Sequence, residues 1–103
     1  MPETPPNDPN LFTRVDAVIA LGNEQMMKDT PMAVATSTAF ASARLAIWAT
    51  ALNTHTAAEL EERRAHAMDR FLTGYRAMLE DHFNEFVQNY DSYRPAKPGV
   101  ITR

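Results

Sequence analysis

A chain of 103 residues has room for one small domain and little more. Its hydrophobic fraction of 45% and charged fraction of 22% place it among folded sequences, away from disordered composition. A net charge of -3 without a basic stripe argues against nucleic-acid binding, and the lack of cysteine removes a disulfide framework, a thiol nucleophile and Cys-ligated zinc.

Residues 1–8 are polar and acidic and rich in proline, with no apolar core of the kind a secretory signal needs. They are expected to form a disordered tail. A helical domain over residues 9–91 follows. Its first helix is predicted from Pro9 or Asn10 to Lys28, with Asp8 or Asn10 as cap and Pro9 in the first turn. Phe12, Val15, Ile19 and Met26 fall on one side, with Val18 and Leu21 beside them. Gly22 interrupts this pattern and is read as a point of close backbone approach.

Thr30-Pro31 is a cap followed by a first-turn proline, and it opens a second helix that ends near Asn53. Alanines at 33, 35, 39, 41, 43, 46, 49 and 51 favour helix and permit close helix–helix approach. Phe40, Leu45, Ile47, Trp48 and Leu52 punctuate them, so this segment is read as the central helix, touched on more than one side. No strand pattern and no internal repeat is present.

The third helix is the strongest signal. Thr56 and Glu59 make a capping box. Met68, Leu72, Tyr75, Leu79, Phe83, Phe86 and Tyr90 then recur at steps of three and four, widened by Phe71, Met78 and Val87. Continuous from Thr56 to Tyr90, such a helix is about 50 Å long, against about 30–35 Å for the other two. One end must overhang. Glu59, Glu61, Glu62, Arg63 and Arg64 suit water at the N-terminal end, whereas Phe83, Phe86, Val87 and Tyr90 need cover and are the candidate interface. The fold expected is all-α: a three-helix bundle with a long third helix, completed by homodimerisation. Gly74 is the place where that helix could kink. Residues 92–103 are expected to be a disordered C-terminal tail, with Val100 and Ile101 its one apolar pair.

Chemistry is sparse. His55, His66 and His82 form neither a His-Glu-x-x-His set nor the Glu-x-x-His of di-iron bundles; Glu62 and His66 read as a surface pair, and His82 as a partly buried histidine beside the stripe. Gly22, Gly74 and Gly99 are isolated, so no phosphate-cradling loop arises. Ser37 and Ser42 lie inside a helix without a nucleophile-elbow context. No catalytic, cofactor-binding or metal residue is assigned. Arg44, in the otherwise uncharged interior of the second helix, is expected to pair with Glu24 or Asp16. Trp48 and Tyr75 read as core aromatics.

The segments Ala17-Val18-Ile19-Ala20-Leu21-Gly22-Asn23-Glu24-Gln25, Ala41-Ser42-Ala43-Arg44-Leu45-Ala46-Ile47-Trp48 and Tyr75-Arg76-Ala77-Met78-Leu79-Glu80-Asp81-His82 resemble a proteobacterial family of small proteins, domain of unknown function 3144. The similarity spans roughly Phe12 to Tyr90. Gly22 stands where alanine is expected in such sequences. The resemblance implies a bacterial, cytoplasmic, all-helical protein and supplies no catalytic residue. It draws attention to Asn23, Glu24, Gln25, Arg44 and Tyr75 as a shared polar cluster, structural or ligand-binding.

The function expected is therefore a non-enzymatic oligomeric interaction or adaptor module in the cytoplasm. It acts as a homo-oligomer with a protein partner and without nucleic acid, membrane or cofactor. The alternative is a small molecule held between the three helices, walled by Phe40, Trp48 and Tyr75 and gated by Glu24 and Arg44.

Overall fold

The computed structural model describes residues 8–93 and 99–103. Among these, all regular structure is helical: α1 (Leu11–Met26), α2 (Pro31–Ala51), α3 (Ala57–Glu62), α4 (Arg64–Gln88) and α5 (Tyr90–Tyr93). The chain divides into two compact units, and the boundary falls inside α2 between Ala41 and Ser42. One unit holds α1, the first half of α2 and the described C-terminal residues. The other runs from Ser42 through α5. The expected tail over residues 1–8 lies outside the described residues except for Asp8.

Local chemistry sets the helix ends. At the start of α1, the Asp8 carboxylate accepts from the Asn10 amide at 3.1 Å and is paired with the Arg14 side chain, which holds its pKa below the ordinary carboxylate value. Asn10 occupies the cap position without a side-chain cap bond, so Asp8 serves instead. Thr30 caps α2 through Oγ1, which accepts from the Ala33 amide at 3.2 Å. Thr36, Ser37, Thr38 and Thr50 each donate their hydroxyl to the carbonyl four residues back, so these polar groups are satisfied within α2 itself.

The capping box at Thr56 forms, with one change of partner. Thr56 Oγ1 accepts from the Glu59 amide at 3.1 Å, while Glu59 reaches past Thr56 to accept from the His55 amide at 3.0 Å. The expected single helix from Thr56 to Tyr90 is interrupted at two places, and neither is Gly74. Arg63 breaks the first turns off as α3, although its φ and ψ remain right-handed helical. The second break is at Asn89, whose φ of -113° and ψ of 26° leave the helix while its side-chain amide donates to the Glu85 carbonyl at 3.1 Å. A side chain that bonds its own preceding turn competes with the backbone ladder, which fits the stop there.

Side-chain burial is slight. Val34, Thr50 and Ala67 are the buried side chains among the described residues, and all three are small. Trp48 and Tyr75, expected in a core, stand largely exposed, as do Phe40, Leu45 and Leu52 on the helix expected to be central. The helices that pack closely on one another are sequence neighbours: α3 on α4, and α5 on α4. Alanine explains why α2 stays helical with so little cover, since its helix propensity is the highest of any residue.

Both helical glycines sit in open space. A Cβ placed at Gly22 or Gly74 meets nothing within 4 Å, so Gly22 marks no close backbone approach. Gly74→Ala is expected to stabilise the protein by about 0.5–1 kcal/mol by restricting the unfolded chain and raising helix propensity. Urea denaturation followed by circular dichroism checks it; an unchanged or lowered midpoint would show that this position is packed against something.

Candidate functional site: a strapped first helix and an open aromatic stripe

Two features stand out from otherwise plain helices. The first is in the unit built on α1. Leu11, Val15, Ile19, Asn23 and Met26, at steps of three and four, are its half-buried residues, together with Gly22. Asn23 brackets the backbone of Ile101: its Nδ2 donates to the Ile101 carbonyl at 2.7 Å, and its Oδ1 accepts from the Ile101 amide at 3.1 Å. A side-chain amide thus satisfies both main-chain groups of one residue in an extended segment, as a neighbouring strand would. Arg103 extends the contact, donating to Asp16 at 2.7 Å and lying 4.4 Å over the Phe12 ring. At the other end, Gly99 has φ +93°, and a Cβ there would lie 2.8 Å from Met27 Sδ and 3.0 Å from the Asn23 carbonyl oxygen. Only glycine suits both demands.

This differs from the disordered tail expected over residues 92–103. Residues 99–103 form a strap along α1, and Tyr93 ends α5. Val100 remains exposed, so Asn23, not apolar docking of the Val100-Ile101 pair, fixes the register.

The five residues of the expected polar cluster are divided between the units, Asn23, Glu24 and Gln25 in the one and Arg44 and Tyr75 in the other. Asn23 is engaged with the strap, whereas Glu24, Gln25 and Arg44 face solvent and Tyr75 is about half exposed. Asp16, one of the two partners expected for Arg44, is bonded to Arg103 instead. Because Arg44 is exposed, its charge needs no buried counter-ion. Phe40 and Trp48, expected to wall a pocket, are open to water, and so are His66 and His82. Among the described residues there is no group of three or more His, Asp or Glu side chains able to hold a metal ion.

The second feature is the stripe along α4 and α5. Met68, Leu72, Tyr75, Met78, Leu79, Phe83, Val87 and Tyr90 are all roughly half exposed or more, with Phe83 at 73%. Phe86, at 37%, is the best covered of the four interface candidates. Its cover is local: the break at Asn89 turns α5 so that the Tyr93 ring lies 4.0 Å from the Phe86 ring, tilted by 30°. Tyr93 Oη donates to Glu85 at 2.7 Å. That bond raises the phenol pKa, with desolvation and the carboxylate charge adding to it. The bond's stabilisation is therefore whole below the ordinary tyrosine range and is lost as pH climbs through the raised value. Sequence periodicity missed this partial shield because Tyr93 lies past the end of the helical repeat.

Replacing Asn23 by Ala removes both bonds to Ile101. The Ile101 amide is then expected to exchange with solvent at least tenfold faster, while amides in the middle of α4 keep their rates. Hydrogen exchange read by NMR checks this; unchanged exchange at Ile101 would mean the strap is held by something other than Asn23.

No helix of the described residues is long and apolar enough to cross a membrane. No curated protein and no solved structure matches the chain. A family model described as protein of unknown function DUF3144 matches residues 11–87, from the first residue of α1 almost to the end of α4. That span is most of the chain, and it takes in Asn23 and the stripe as far as Val87; the chain belongs to the DUF3144 family.

Proposed function

We propose that this protein is a non-enzymatic, self-associating helical module, an adaptor whose bundle is completed when a second copy covers the open faces of its helices. The observation that carries this reading is the bare stripe from Met68 to Tyr90. Nine side chains at about 100 Å² apiece offer on the order of 900 Å² per copy, which meets the roughly 800 Å² that each partner contributes to an ordinary stable interface. At about 25 cal/mol per Å², such a surface represents roughly 20 kcal/mol of apolar transfer free energy left unused. Association costs about 4–15 kcal/mol in lost translational and rotational freedom, so a gross term of that size is enough to offset it. A second open row, Leu45 and Trp48 on α2 with Leu52 just past its end, at steps of three and four, offers further surface to the same assembly.

The bland reading of such a stripe is a core face covered by its own chain. The oligomeric state in solution separates it from self-association. The double substitution Phe83→Asp, Val87→Asp places charge on the most open part of the stripe. Sedimentation equilibrium at 5–50 micromolar (about that range) is expected to show a dimer or larger species for the wild type and monomer for the variant. Wild-type protein that stays monomeric and fully helical across that range would remove this reading.

A further inference from the structure

Charge along α4 runs against its own dipole. A helix favours acidic groups at its N-terminal end and basic groups at its C-terminal end. Here the order is reversed. Within α4, Arg64, Arg70 and Arg76 occupy the first half with Asp69 as the one acidic residue among them, whereas Glu80, Asp81 and Glu85 fill the second half with no Lys or Arg. There is no acidic residue in the first turn of α4 and no basic residue in its last. Arg64 pairs back to Glu61, and Arg76 pairs with Glu80 at 3.2 Å, but both pairs are exposed and leave the overall gradient in place.

We propose that the occupant of the α4 stripe is the α4 of a second copy running antiparallel, so that the basic half of each helix lies beside the acidic half of the other. This deepens the self-association proposed above and rests on it. Antiparallel pairing removes what the sequence otherwise leaves unfavourable: each helix N-terminus, with its arginines, meets the acidic C-terminal half of its partner, and the two dipoles oppose. Parallel pairing does the reverse, setting three arginines beside three arginines and carboxylates beside carboxylates at the distances where like charges repel. The stripe itself permits the arrangement. Within α4 its apolar steps run about 21 Å from Leu72 to Phe86, with Leu79 midway, so a twofold axis at Leu79 sets Leu72 against Phe86 of the partner and Leu79 against its own counterpart.

The natural absence of cysteine makes the register directly readable. Three single variants, Leu72→Cys, Leu79→Cys and Phe86→Cys, are oxidised separately and in mixtures, with circular dichroism confirming helicity and sedimentation giving the oligomeric state. Expected are a disulfide-linked dimer from Leu79→Cys alone, little from either outer variant alone, and a mixed dimer when Leu72→Cys and Phe86→Cys are combined. Efficient self-linking of Leu72→Cys and of Phe86→Cys would establish a parallel pair and overturn the inference while leaving self-association standing. No linkage in any sample that sediments as a dimer would move the interface off α4 and overturn it likewise. Monomer throughout would instead remove the underlying self-association.

Discussion

The hydrophobic stripe of α4 is the constraint on which everything else in this chain turns. Its residues are placed with the regularity of a packed core, yet Phe83, Val87 and Tyr90 meet mostly water. Hydrophobic burial is the dominant favourable term in folding. The proposal of a second copy rests on that mismatch between regular apolar spacing and open exposure. The small side chains of α2 and the self-contained hydroxyl bonds of Thr36, Ser37 and Thr38 show how the other long helix keeps its form meanwhile. It satisfies its polar groups internally and relies on alanine for propensity.

The two units are held by different physics. On α1, register comes from directional groups: the Asn23 amide on the Ile101 backbone, Arg103 on Asp16 and Phe12, and a glycine whose backbone conformation and surroundings tolerate no Cβ. On α4, the apolar periodicity and the charge gradient opposed to the dipole are what the self-association proposed above draws on. A strap of a few hydrogen bonds is a weak, local clasp, whereas the stripe is a large non-directional surface.

How far the sequence disclosed this depended on the range of each interaction. Helix existence, the Thr30 and Thr56 caps and the stripe all follow from residues within a few positions of one another, and all were legible. Membership of the DUF3144 family was legible from three short segments. The strap was not, because Asn23 and Ile101 are 78 positions apart and their pairing depends on an extended backbone that no periodicity announces. Arg44 illustrates the converse. A lone charge in an alanine-rich helix implies a buried pair only if the helix is central, and Arg44 lies exposed. The break at Asn89 was likewise hidden, since the apolar repeat runs through it to Tyr90.

The central claim, that the α4 face is completed by another copy, is tested most directly by the concentration dependence of the thermal midpoint. Folding linked to association raises Tm with protein concentration, by mass action. Calorimetry from about 2 to about 200 micromolar is predicted to show Tm rising by several degrees across that hundredfold range, with the rise growing smaller as the assembly saturates. A cooperative transition whose Tm stays constant throughout would mean that one chain folds alone with its stripe uncovered, and the account would be wrong.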